Sequence, residues 1–193
     1  MPAGSQSSHS PLNLDMIFRE TKILGVYVIE PEKIKDERGF FTHTWSRNEF
    51  AKQGLEAEII ESNVSFNRKE GTLRGMHYQA EPHGQTKLVR CTRGKVYDVT
   101  VDIRPGSPTF KQWFGIELSD RNHLMLYVPK ELAHGYQTLL ADTEVLYQVS
   151  SSGYVPQAGR GVRWNDPAFG IEWPDVGRRV VIERDQNYQD FKL

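Results

Sequence analysis

The chain has 193 residues, a mass of 22.2 kDa and 24 Lys and Arg against 25 Asp and Glu, for a formal charge of -1. One hydrophobic core can fill that length, and the even charge leaves no positive footprint for nucleic acid or an anionic membrane. The single cysteine, Cys91, excludes an internal disulfide and a Cys-rich zinc site and suits a reducing, cytoplasmic setting.

Taken in chain order, residues 1–13 (MPAGSQSSHSPLN) are small and polar and predict a disordered tail ahead of one domain over 14–193. They show neither the charged start nor the apolar stretch of a secretion signal, and no apolar run is long enough to span a bilayer. Short β-rich runs then recur between turn signals: ILGVYVIE before Pro31, GFFTHTW after Asp36-Glu37-Arg38, and AEIIESNVSF before Asn67-Arg68. A peripheral helix is predicted over 46–55, with Ser46 as N-cap, Glu49 as its capping-box partner and Gly54 near its end. The series continues with TLRGMHYQ, TKLVRCTRG, KVYDVTVDIR, KQWFGIEL, HLMLYVP, HGYQTLL and EVLYQVS, each closed by Gly, Pro, Asn or Asp. Beyond residue 150 the chain is looser and rich in Gly and Pro. This pattern predicts an all-β sandwich or barrel.

Two strands carry polar residues in telling positions. In KVYDVTVDIR, Tyr97, Val99, Val101 and Ile103 alternate with Val96, Asp98, Thr100 and Asp102. The second face looks to water in a surface strand and into a ligand cavity in a barrel. In LRGMHYQ, alternation puts Leu73, Gly75, His77 and Gln79 on one face and Arg74, Met76 and Tyr78 on the other. His77 there is open to three readings: a packed or surface residue, a metal ligand, or a base. His77, His83, His123 and His134 are scattered, with no His-x-His or Cys-x-x-Cys pair, so no metal site is expected. The Gly-x-Ser-x-Gly, Gly-x-Gly-x-x-Gly and Walker motifs are absent as well, and no cofactor is expected.

Six segments in order, ETKILGVYVIEP at 20–31, DERGFF at 36–41, GTLRGMHYQ at 71–79, TKLVRCTRGKVYDVTVDIRPGSPTF at 86–110, VPKELAHGYQTL at 128–139 and RWNDPAFGIEWP at 163–174, resemble the dTDP-4-dehydrorhamnose 3,5-epimerase family. The resemblance implies a metal-free jelly-roll barrel of the cupin type, a homodimer, and a nucleotide-linked 4-keto-6-deoxyhexose lying in the barrel mouth. It further implies His77 as catalytic base, Asp185 as its carboxylate partner and Tyr147 as general acid. Lys87 and His134 would lie beside the sugar, Arg74 and Arg38 at the diphosphate, and Phe40, Asn63 and Gln79 among the substrate contacts.

Those residue types suit the chemistry. Hydrogens on C3 and C5 are acidic because the C4 ketone takes up charge as an enolate. A neutral imidazole can remove such a proton, a carboxylate can fix its tautomer, a cation can hold the oxyanion, and a protonated tyrosine can return a proton to the other face. Read alone, Asp185 is a solvated charge in Glu183-Arg184-Asp185, Tyr147 a packing residue, and Arg74, Arg38 and Lys87 surface cations. The rival readings are a ketoisomerase on the same scaffold and a non-catalytic sugar-nucleotide-binding barrel.

Two features depart from the family pattern. His43 stands where a glutamate is usual and Glu61 where a glutamine is usual, both at positions the resemblance sets near the base. Their donor and acceptor groups match cytosine better than thymine, so a nucleotide other than thymidine is expected. The segment YQVSSSGYVP is one residue longer than its counterpart and has Gly153 before Tyr154 in place of paired tyrosines. That loop is expected to bear on whether C3, C5 or both are inverted.

Overall fold

The structure is a computed structural model that describes residues 15–192; the tail expected over 1–13 lies outside the described residues. Two antiparallel sheets face one another as a jelly roll. The first contains β1 (Met16–Glu20), β2 (Tyr27–Pro31), β10 (Met125–Val128), β7 (Thr86–Arg93), β12 (Thr143–Ser150) and β5 (Glu61–Asn67), in that spatial order. The second runs β13 (Gly159–Gly161), β6 (Thr72–Gln79), β11 (Leu132–Thr138), β8 (Lys95–Asp102) and β9 (Trp113–Ser119), with β14 (Val180–Val181) parallel to β6. A small hairpin of β3 (Ile34–Asp36) and β4 (Gly39–Phe41) pairs with neither sheet. No helix of the described residues is long and apolar enough to cross a membrane.

Apolar side chains form three layers. Between the sheets, Val89, Cys91, Leu126 and Val145 of the first meet Val96, Leu118, Leu132 and Tyr136 of the second. Outside the second sheet, Met76, Val99, Val101 and Ala133 are covered by Val162, Phe169 and the partly buried Trp173 and Phe191. The loose C-terminal segment is therefore a lid over that sheet, which explains why it holds position with little regular structure. Outside the first sheet, Met16, Ile29, Leu88 and Met125 are covered by Phe50. Phe50 belongs to the helix α1 (Arg47–Lys52), shorter than predicted, and truncating a fully buried Phe costs about 3 to 5 kcal/mol.

The predicted capping box does not form. Ser46 is the N-cap residue but its side chain makes no cap hydrogen bond. The Glu49 carboxylate instead accepts from the Met16 backbone N–H at 2.7 Å and lies 3.8 Å from His43 Nδ1. A tertiary anchor of the first strand has displaced the local one.

Because the lid covers its outer face, β8 is buried on both sides. Val99 and Val101 face the lid, and Asp98, Thr100 and Asp102 point inward with no exposure. The polar face thus lines the barrel interior. Asp102 is satisfied at the strand end by the Arg104 guanidinium at 2.8 Å and by the hydroxyls of Ser107 and Thr109 at 2.5 and 2.6 Å.

Candidate active site

The site is built on β6, where the register overrides simple alternation. His134 and Tyr136 of β11 are two residues apart and share the inner face, yet their partners on β6 are His77 and Arg74, three residues apart. A bulge at Gly75-Met76, whose peptide bond is cis, takes up the extra residue. Arg74 and His77 therefore share the inner face, contrary to the expectation from alternation, while Met76 turns out beneath the lid. Only glycine suits position 75: its φ is +133°, and a Cβ there would stand 2.6 Å from Gly135 Cα.

Asp185 is not a solvated charge. It lies on α2 (Glu183–Gln186), a single turn that packs against β6, and its side chain is 1% exposed against 31% for His77. Its Oδ1 is 2.8 Å from His77 Nε2 and its Oδ2 accepts from the Gly75 N–H at 3.1 Å. Burial alone would raise the Asp185 pKa, but the bonds from His77, Gly75 and Arg184 outweigh it and hold the carboxyl below its ordinary value. An ionised Asp185 takes the Nε2–H of His77, which leaves the lone pair on Nδ1. Arg184 was not anticipated from sequence. Its Nε donates to Asp185 Oδ1 at 3.0 Å, and its NH2 stands 3.1 Å from His77 Nε2, two donors side by side.

The cross-strand neighbour of His77 is His134, buried, with Nε2 2.8 Å from Asp98 Oδ1. Asp98 Oδ2 is buried and has no hydrogen-bond partner among the described residues. Lys87 stands on the facing sheet, on the same side of β7 as Val89 and Cys91 and thus on the inner face. Burial pushes its ammonium down to about 8, with the Asp98 carboxylate pulling the other way. Tyr147 occupies the neighbouring strand β12, opposite Asn63 of β5. Burial raises its phenol above the ordinary value, Arg74 draws it partly back and Glu61 adds to the rise. It is therefore protonated at neutral pH.

Side-chain links cross from sheet to sheet beside these groups, among them Asn67 Nδ2, which donates to the Tyr136 hydroxyl at 3.3 Å. Arg74 Nε donates to Asn67 Oδ1 at 2.8 Å, and the Tyr136 hydroxyl donates to Ser65 Oγ at 2.9 Å. Neither Asn67 nor Tyr136 was singled out in the sequence, although both lie at inward positions of their strands. Among the described residues no three His, Cys, Asp or Glu side chains converge as a metal site.

The remaining sequence candidates fall elsewhere. Arg38 and Phe40 sit on the β3–β4 hairpin, where Arg38 is 84% exposed and bonded to Asp36, and Phe40 packs on His123 and Lys33. His43 is beside Glu49 and Phe41. Gln79 is buried and spent on backbone: its Nε2 donates to the carbonyls of His83 and Gly153 and its Oε1 accepts from the Val155 N–H. Glu61 is likewise engaged, its Oε1 accepting from the Tyr154 N–H at 2.8 Å. The two departures from the family pattern, Glu61 and the Gly153-Tyr154 segment, thus meet in space.

The family model for dTDP-4-dehydrorhamnose 3,5-epimerase matches residues 20–192. The chain is 42% identical over 173 residues to dTDP-4-dehydrorhamnose 3,5-epimerase of Sinorhizobium fredii, covering 90% of this chain and 88% of that protein. Among solved structures, the Bacillus anthracis dTDP-4-dehydrorhamnose 3,5-epimerase with TDP and PPi bound superposes with a TM-score of 0.87 at 39% identity, over 92% of this chain and 100% of that one. ChmJ, a 3'-monoepimerase from Streptomyces bikiniensis in complex with dTDP-quinovose, gives 0.81 at 32% identity, over 87% and 84%. Matched from residue 20 to residue 192 by the model and over most of both chains by these relatives, the protein belongs to the dTDP-4-dehydrorhamnose 3,5-epimerase family.

Proposed function

We propose that the protein is a sugar epimerase that inverts C3, C5 or both of a dTDP-linked 4-keto-6-deoxyhexose in deoxysugar biosynthesis. The observation that carries this reading is the His77–Asp185 pair, in which a histidine on the inner face of the barrel meets a buried carboxylate at 2.8 Å. With Nε2–H donated to Asp185, His77 Nδ1 takes the proton from the carbon next to the ketone. A general base so placed accelerates the step by about 10² to 10⁴. The Lys87 ammonium holds the enolate oxygen, an interaction of about 3 to 4 kcal/mol in a site that excludes water. Tyr147, on the opposite sheet, then gives its hydroxyl proton to the other face of the carbon. Exchange with water returns a proton to the phenolate and removes one from the imidazolium, so the net change is inversion.

Arg74 binds the diphosphate in this reading, and His134, held by Asp98, lies beside the sugar. A non-catalytic sugar-nucleotide barrel would have no use for the His77–Asp185 pair. The thymidine nucleotide is favoured over cytidine because Glu61, the acceptor that would select a cytosine amine, is bonded to Tyr154. Asn63 remains on the inner face for the base.

The protein acts as a homodimer in the cytoplasm. The buried, unpaired Cys91 suits a reducing compartment. Exposed Val64 and Phe66 on the outer side of the edge strand β5, with Ile60 just before it, form an apolar strip suited to a second copy. Dimerisation also gives Arg38 and Phe40 a role, since the β3–β4 hairpin presents both to solvent, where a neighbouring barrel can meet them.

Matched dTDP-, CDP- and GDP-4-keto-6-deoxyhexoses should be compared as substrates, with the configuration of each product assigned by NMR. Preferential inversion of the dTDP sugar is expected. Migration of the carbonyl without inversion, or a clear CDP preference, would overturn the reading. Sedimentation should report two copies, and Phe66→Asp should shift it towards one.

A further inference from the structure

The chain that leaves Tyr147 crosses from one sheet to the other and ends beside His77. β12 closes at Ser150 in the first sheet, and after residues 151–158 the chain enters β13, whose Gly161 pairs with His77. The segment 151–155 thus spans the gap between the strands that carry Tyr147 and His77. Both sheets grip it. From the first sheet, Glu61 Oε1 accepts from the Tyr154 N–H at 2.8 Å and Thr86 Oγ1 lies 3.2 Å from Ser151 Oγ. From the second, Gln79 donates to the Gly153 carbonyl at 3.1 Å and accepts from the Val155 N–H at 2.7 Å.

Three consecutive residues are therefore tied alternately to opposite sheets. Gln79, buried and using both ends of its amide, fixes the loop to the strand of the base; Glu61, partly buried, fixes it to the edge strand beside Tyr147. The fit is close, for a Cβ at residue 153 would stand 2.9 Å from Glu61 Oε1. Glycine at this position lets the carboxylate reach the next N–H.

We propose that Glu61 and Gln79 are positioning residues that latch the 151–155 segment across the barrel mouth and so set the spacing between Tyr147 and His77, which governs how inversion divides between C3 and C5. This rests on the epimerase reading above for its chemistry, although the latch itself is testable without substrate. A displacement of about 1 Å at a proton-transfer group suffices to change a rate by about 10²-fold. Two carbons on one ring present their hydrogens at different places, so loosening the spacing changes the two exchange rates unequally.

Three variants separate latch from base contact. Glu61→Ala removes the acceptor, Glu61→Gln keeps a carbonyl that can accept from Tyr154, and Gly153→Ala displaces the carboxylate without altering it. Hydrogen exchange at the Tyr154 amide should accelerate by about tenfold or more in Glu61→Ala and Gly153→Ala, and stay near the parent in Glu61→Gln. In D2O with the dTDP-4-keto-6-deoxyhexose, the ratio of deuterium uptake at C3 and C5 should shift by about threefold or more in the same two variants, with KM within about twofold. Unchanged Tyr154 protection in Glu61→Ala would overturn the latch. Lost protection with an unchanged C3-to-C5 ratio, or a change in KM alone, would overturn its role in selecting the carbon. If the parent shows no uptake at either carbon, the epimerase reading and the carbon-selecting role fail together, while the amide exchange still decides the latch.

Discussion

Lys87→Met is expected to stabilise the fold while removing most of its turnover. The Lys87 pKa stands at about 8 against an ordinary 10.5, and a difference of about 2.5 units at about 1.4 kcal/mol each amounts to ~3 kcal/mol of cost for keeping the ammonium inside. Because the side chain retains some exposure, ~3 kcal/mol is a ceiling and about 1 to 3 is the expected gain in the variant at pH 7. The sign follows from proton uptake. The folded pKa is the lower one, so between about pH 8 and about pH 10.4 the unfolded chain binds more protons and parental stability rises with pH. Below about pH 8 the cost is fully present, and the variant shows neither the cost nor the rise. Activity moves the other way. Loss of the cation at the enolate oxygen should lower kcat/KM by about 10² to 10³, and parental kcat/KM should fall on the alkaline side with a midpoint near 8. Lys87→Arg, which stays charged above about pH 12, should move that limb upward. Urea titrations across the pH range and initial rates by NMR supply both readouts. A parental rate flat from about pH 7 to about pH 9.5, or a Lys87→Met variant with undiminished turnover, would refute the reasoning.

Tyr147→Phe should still exchange substrate deuterons for solvent protons, because His77 remains, but should form inverted product about 10²-fold more slowly or worse when followed by NMR. Gly75→Ala should destabilise by about 3 kcal/mol or more in urea, because φ at +133° is strained for a side chain and the new Cβ would meet Gly135 Cα at 2.6 Å. Asp102 is held at about 2 by Arg104, Ser107 and Thr109 against the desolvation that would raise it. Its contribution is thus present above about pH 3.9 and lost as pH falls towards 2, so the stability gap between parent and Asp102→Asn should shrink by about 2 kcal/mol between about pH 5 and about pH 2.

An all-β sandwich or barrel and the two faces of β8 were within reach of the sequence, since alternation marks Asp98, Thr100 and Asp102 as one set. Which way that set points depended on what covers the other face. The cover is residues 162–191, whose apolar groups are too sparse to show a period but close over Val99 and Val101 once folded. The bulge at Gly75-Met76 was hidden for a related reason. Alternation assumes a regular strand, and one extra residue brings Arg74 and His77 to the same side. Asp185 reads locally as part of a charged run, and only the packing of α2 on β6 removes it from water. Glu61 and Gln79 carry side chains able to contact a ligand, but the backbone of residues 153–155 claims them, a long-range pairing that no local pattern encodes. The capping box failed by the same competition, Glu49 serving Met16 instead of its own helix end.

Deuterium uptake from D2O into the dTDP-4-keto-6-deoxyhexose, followed by NMR for the parent and for His77→Asn, tests the His77–Asp185 base most directly. The parent should take up deuterium at C3, C5 or both with inversion, and His77→Asn should bind the substrate comparably while exchanging about 10² to 10⁴ times more slowly. Exchange by His77→Asn at the parental rate would contradict it.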